Sequence, residues 1–346
     1  MKRKNGILIT VLTLVSIVAL AGGQAAGSEK PIELIFSHNE PLTSFQHAAC
    51  EEWAAKIAEA TSGRITVEIF GGGALGSERD TLERIKQGAA DITLTTPSLF
   101  EGMFPYVQMF QLPLLGVRDG KIGTNVLWDL YEEFPDIYDN MFKSQGLKAL
   151  GIFTTDASLI GSTKDVRSVN DLKGLRMRCS AGPLTDVALL WNVAPVTLGQ
   201  SEIYEAVEKN VIDGFFNVWP GTYSFRLYEV CHYILDIPIF CNQLMILMGL
   251  DQWNALSPEL QDILMKNSGR DASVNVFYAG MAKNTVLAKD AILAYGSVIN
   301  VPTEEEYNTF VEGAEIASQN WLKQYTTGQV DATALYNRAK ELLKNY

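Results

Sequence analysis

Arg176 and Arg178 stand two residues apart in the run Leu-Arg-Met-Arg-Cys at 175–179. Alternation with Leu175, Met177 and Cys179 reads as a β-strand, and on a strand both arginines share one face. A guanidinium is a planar fork that grips a carboxylate through two parallel hydrogen bonds. In a dry site such a charge is costly until an anion pairs with it. Further along, Phe215-Phe216-Asn217-Val218-Trp219 places an amide among aromatics at a second strand end. By the same alternation Trp219 faces the way Asn217 does. The chemistry within reach is therefore carboxylate capture. Spacing alone leaves open that both arginines are solvated or paired with Asp or Glu.

Other chemistries find little support. There is no Gly-x-Ser-x-Gly and no His-Glu-x-x-His, and the three histidines (His38, His47, His232) are scattered. The four cysteines, Cys50, Cys179, Cys231 and Cys241, lack zinc-type spacing. We therefore expect no enzyme, no metal and no cofactor. The glycine run from Gly71 to Gly76 has no Gly-Lys-Ser/Thr ending and reads as a turn into a helix. A formal charge of −12 without a basic stripe argues against a nucleic-acid partner.

The start of the chain has the form of an export signal. Lys2, Arg3 and Lys4 precede an apolar run from Ile7 to Ala21, and Gly22 to Ala26 supply small residues. The run is shorter than the roughly 20 residues a membrane-spanning helix needs. We expect residues 1–26 to be a signal peptide cleaved after about Ala25 or Ala26, and the mature chain to be periplasmic. Losing those three cations would take the formal charge from −12 to −15. An oxidising compartment permits disulfides, and Cys231 and Cys241 could close a short loop.

The elements that must position the arginines follow an α/β pattern. Residues 32–37, a helix from about Ser44 and residues 64–70 open the chain as β–α–β. Helix-then-Asp-strand units recur at Leu82 to Ile92 and Tyr204 to Gly214, which suggests two similarly built domains. Strands near 92–96, 147–155, 175–179, 196–198, 215–217 and 244–250 follow, with Ser201 as the expected cap of the helix before Lys209. Ser257-Pro258 opens one or two long helices that Gly269 divides. Ligands in open α/β sheets lie beyond the C-terminal ends of strands, which makes Thr96 a cleft candidate. Asn39, just past the first strand, is counted with it.

Asp171-Leu-Lys-Gly-Leu-Arg-Met-Arg178, Ser201-Glu-Ile-Tyr and Asp213-Gly-Phe-Phe-Asn217 resemble the extracytoplasmic solute-binding proteins of TRAP transporters, the DctP type. Thr61-Ser-Gly-Arg-Ile, Gly73-Ala-Leu-Gly-Ser-Glu-Arg-Asp, Gly88-Ala-Ala-Asp and Leu112-Pro113 agree with it, so the resemblance covers essentially the whole mature chain. It implies a two-domain periplasmic-binding-protein-like α/β fold with a hinge cleft and a long helix spanning both domains. Domain I would hold residues 27–155 and about 243–282, and domain II residues 156–242 and about 283–346. It also implies capture of an organic acid and delivery to the membrane permease subunits of a TRAP transporter driven by an ion gradient. The family's anchoring arginine corresponds to Arg178 and its asparagine to Asn217, while Arg176 is expected to be peripheral. The sialic-acid-binding branch has a second arginine where Ser158 stands, a glutamate near Thr96 and a stacking aromatic near Gln200. Those departures argue against a sialic-acid-like ligand. With Trp219 and Phe215 counted in the cleft, the expected ligand is a small carboxylate with an apolar or aromatic body. Two alternatives remain at this stage: a ligand-sensing module for a signalling receptor, and a secreted enzyme.

Overall fold

A computed structural model describes residues 30–346. The expected signal peptide lies outside the described residues. Ten strands form: β1 (Ile32–Ser37), β2 (Ile65–Phe70), β3 (Ile92–Thr95), β4 (Leu147–Ser162), β5 (Arg176–Cys179), β6 (Ala194–Thr197), β7 (Gly214–Val218), β8 (Tyr233–Leu235), β9 (Cys241–Gly249) and β10 (Val298–Asn300). β1 pairs in parallel with β2 and β3, and β9 runs antiparallel between β3 and β4. On the other side, β5 lies parallel between β6 and β7, and β7 and β8 both run antiparallel to β4.

The 16 residues of β4 serve both sheets. From Leu147 to Ala157 they pair with β9, and from Ser158 to Ser162 with β7. The register slips between Thr154 and Ala157, where the chain passes from one sheet to the other. Such a bulge bends and twists a strand locally. β9 begins at Cys241, opposite that slip, and carries the chain back.

Two helical stretches also serve both sheets. One begins at Pro258–Lys266, capped by the Ser257 hydroxyl as Ser-Pro predicts, and resumes at Gly269–Ala272. It continues through a π turn, Ser273–Tyr278, into Ala279–Tyr295. Met281 packs in the core under the first sheet, whereas Ala288 and Ile292 pack with Phe215 under the second. In the helix Glu304–Tyr325, Phe310 and Ala314 join the second sheet's core. Its Trp321 reaches the first half's core, where the helix Ala332–Leu343 packs with residues of the helix Gly120–Glu133. This is the expected two-domain fold with a long, bent helix.

Two local expectations change. The helix Ile203–Glu208 is not capped by Ser201; a 3-10 turn precedes it, and Glu202 Oε2 accepts the Gly199 N–H at 2.6 Å. All four cysteines are free and buried, and Cys231 and Cys241 belong to different cores.

Where β4 meets β7 there is no room for side chains. A Cβ on Gly214 would lie 2.3 Å from the Gly161 carbonyl oxygen, a backbone atom that has nowhere to move. Gly214→Ala should destabilise the protein by about 1–3 kcal/mol. A urea titration checks this: the midpoint should fall with the slope unchanged, and a parental midpoint would contradict the packing.

Candidate functional site

Arg178 comes to the site because β5 is the inner strand between β6 and β7 and ends there. Its residue is 4% exposed. Nε donates to the Leu198 carbonyl at 3.0 Å and Nη1 to the Phe216 carbonyl at 3.4 Å. Those two contacts lock the plane of the guanidinium and leave Nη2 without a protein hydrogen bond. Burial pulls the Arg178 pKa below the usual arginine range, and the nearby Glu78 carboxylate is the main group opposing that. No carboxylate among the described residues forms an ion pair with it at 4.0 Å.

Asn217 sits near the end of β7, 1% exposed. Its Oδ1 accepts the Val218 N–H at 2.9 Å, which fixes the amide orientation. Nδ2 is then a buried donor with no partner. Gly221 makes this arrangement possible. A Cβ there would sit 2.5 Å from Gln200 Nε2 and 2.9 Å from Asn217 Oδ1.

Arg178, Asn217, Gln200 and Thr96 line one cavity, partly continuous with solvent. Thr96 shares a hydrogen bond with Ser98 at 2.9 Å. Phe225, Leu244, Pro220 and Met281 supply the apolar wall. Gln111 donates to Ser180 Oγ and to Asn242 Oδ1, both at 2.8 Å, and Arg79 Nη2 donates to the Thr197 carbonyl at 2.8 Å. The Gln111–Ser180 and Arg79–Thr197 bonds cross from elements of the first half to the ends of β5 and β6, so the cleft is in a closed arrangement.

Four expected site residues lie elsewhere. Trp219 is buried in the core with Ile203 and Ala288, with Lys289 Nζ 4.6 Å above its ring. Strand alternation placed it in the cleft, but β7 stops at Val218 and Trp219 already begins a helix. Phe215 is also core; its ring fills the space over Gly161. Ser158 is fully buried and ties strands together, donating to the Ile237 carbonyl at 2.8 Å and accepting the Phe240 N–H at 3.3 Å. Asn39 holds the glycine turn through the Gly76 carbonyl at 3.1 Å, and lines a smaller adjoining pocket. Arg176 is at the surface in a two-pronged pair with Asp213.

Sequence reasoning missed several polar groups in the cavity, among them Glu40, Glu78 and Gln243. Glu40 follows the C-terminal end of β1, and Glu78 follows the glycine turn. Both lay at positions where the strand-end rule would have found them. Gln243, on β9, is 1% exposed; its Nε2 donates to the Cys241 carbonyl at 3.1 Å and its Oε1 has no partner. Burial, then the charge of Glu78, pushes the Glu40 pKa up to about 8. Burial also raises that of Glu78, against the pull of Arg178 and the Gln200 N–H that faces its carboxylate. Among the described residues no cluster of three or more His, Cys, Asp or Glu could hold a metal ion.

A family model for bacterial extracellular solute-binding proteins, family 7 (DctP), matches residues 36–324. The chain is 24% identical over 329 residues to the ectoine/5-hydroxyectoine-binding periplasmic protein UehA of Ruegeria pomeroyi, covering 94% of each chain. Its fold matches a TRAP solute-binding protein of Rhodoferax ferrireducens in complex with copurified benzoate. The TM-score is 0.83 at 21% identity, over 91% of this chain and 98% of that one. A TRAP solute-binding protein of Bordetella bronchiseptica with bound mandelate also gives 0.83, at 22% identity, over 91% and 99%.

The Glu40 carboxyl makes a prediction about pH. Unfolded, it titrates near 4.5; folded, it keeps its proton to about 8. Between those values the folded state binds more protons, so stability falls as pH rises. Buried His38, lowered to about 4 by burial and then by His47, acts in the opposite direction but is common to parent and variant. Glu40→Gln should therefore match the parent's melting temperature near pH 4 and exceed it by a few degrees at pH 8. Melting curves that stay parallel across that range would contradict the assignment.

Proposed function

The chain belongs to the bacterial extracellular solute-binding proteins of family 7, the DctP type of the TRAP transporters, and we propose that it captures a small organic acid by its carboxylate. The observation that carries this reading is the pair of donors in the cavity. Arg178 is buried with no hydrogen bond to Nη2 among the described residues, and Asn217 Nδ2 is buried without a partner. A buried donor left unpaired costs about 1–3 kcal/mol, and a ligand carboxylate satisfies both. Gln200 and Thr96 complete the polar lining, and Phe225, Leu244 and Met281 suit an apolar or aromatic body. The relatives are named for carboxylic acids of several shapes: benzoate, mandelate and glucuronate.

The protein then works as the periplasmic partner of membrane permease subunits, with residues 1–26 removed on export. Domain I comprises residues up to about 155 and about 243–282, and domain II residues 156–242 and the stretch from about 283. Packing of Ala332–Leu343 with the helix Gly120–Glu133 supports assigning that last helix to domain I rather than domain II. β4, which crosses between the sheets, and the start of β9, which lies opposite the crossing, are the hinge. Opening separates Arg178 and Asn217 from Thr96 and releases the ligand.

A thermal-shift screen against aromatic, keto, hydroxy and dicarboxylic acids identifies the ligand, since binding to the folded state raises its melting temperature. Arg178→Ala should then weaken that ligand by about 2–5 kcal/mol in calorimetry. Unchanged affinity would remove Arg178 from the site.

A further inference from the structure

We propose that the ligand is a zwitterion, its carboxylate taken by Arg178 and Asn217 and its protonated nitrogen by Glu40, Glu78 and Gln243. The inference rests on the carboxylate reading above and adds the chemistry of the ligand's other end.

The cavity is polarised across the cleft. Its free donors, Arg178 Nη2 and Asn217 Nδ2, come from β5 and β7 of the second sheet. Its free acceptors come from the first half. Gln243 Oε1 is buried without a partner, because the Cys241 carbonyl consumes the amide's Nε2. The Glu40 carboxyl lines the cavity with no hydrogen bond or cation acting on it; burial and Glu78 alone set its titration. Glu78 faces the same space, reached by the Gln200 N–H and by the charges of Arg178 and Arg79. A ligand that satisfies both sides needs acceptors at one end and donors at the other.

Charge then selects the donor. The ionisable groups around the cavity are Arg178 and Arg79 against Glu40, Glu78 and Glu202. Arg79 already holds the Thr197 carbonyl, and Glu202 the Gly199 N–H. A plain monocarboxylate leaves Gln243 Oε1 and the Glu40 and Glu78 carboxyls without a donor from the ligand. A hydroxyl satisfies Gln243 but leaves the two carboxyls. An ammonium or amidinium supplies donors to all three acceptors, and the ligand's net charge is zero. Like charges brought together in a low-dielectric site are costly, whereas a cation between them is held strongly.

The test uses matched pairs on the mature chain at pH 7: 4-(aminomethyl)benzoate against 4-methylbenzoate, 4-aminobutyrate against butyrate, and phenylalanine against 3-phenylpropionate. Thermal shift finds the binders and calorimetry measures them. In at least one pair the aminated member should bind at least about tenfold tighter, a difference of about 1.4 kcal/mol. Glu78→Gln should cost that member about tenfold or more and leave the plain acid unchanged or tighter. Cooperative melting of Glu78→Gln shows that the variant folds, and Glu40→Gln should give the same ranking. The proposal is overturned if plain acids bind as well as or better than their partners in every pair, or if nothing aminated binds. Arg178→Ala keeps the two readings apart. If it abolishes binding of plain acids while the aminated members bind no tighter than those acids, the carboxylate reading stands and the zwitterion falls. If it leaves all binding intact, the carboxylate reading falls.

Discussion

A guanidinium withdrawn from water must have every face accounted for, and the site is arranged around that requirement at Arg178. Two carbonyls hold Nε and Nη1, and the third nitrogen is left to the cavity. Those carbonyls belong to Leu198, after β6, and Phe216, on β7, so the strands flanking β5 orient the guanidinium. Asn217 follows from the same geometry: its backbone neighbour Val218 takes one end of the amide and turns the other toward the ligand space. Gly221 supplies the clearance over both Asn217 and Gln200.

The opposite wall is built by different means. Glu40 and Glu78 are delivered by loops beyond β1 and β2, and Gln243 by β9, which lies between β3 and β4. On the proposed hinge reading, a change of twist at the slip between Thr154 and Ala157, where β4 crosses and opposite which β9 begins, separates the walls. The long helix from Pro258 to Tyr295 and the helix Glu304–Tyr325 lie on both cores and limit the direction of that motion. Opening also breaks the Arg79–Thr197 and Gln111–Ser180 bonds, so the ligand's contacts must favour the closed arrangement together with these.

Much of this was legible in the residues. The strand of Arg178, the cap at Ser257 and the β–α–β opening follow from local chemistry that tertiary packing does not override. The pairing of Arg178 with Asn217 was legible through family resemblance, because no local rule connects residues on separate strands. Trp219 and Phe215 failed for one reason: alternation says which residues share a face, but not where the strand ends or what covers the face. The helices Gly120–Glu133 and Pro135–Lys143 drew no reading from the sequence, although Asp119 caps the first through Lys121 and Ile122. The acidic wall was hidden because burial, which gives Glu40 and Glu78 their character, arises only when distant segments meet.

The most direct test of the account is a crystal structure of the mature protein with the tightest acid from the screen. The account predicts that ligand carboxylate oxygens lie about 2.7–3.1 Å from Arg178 Nη2 and Asn217 Nδ2. A carboxylate bound elsewhere in the cleft, with Arg178 Nη2 turned instead to Glu78, would contradict it.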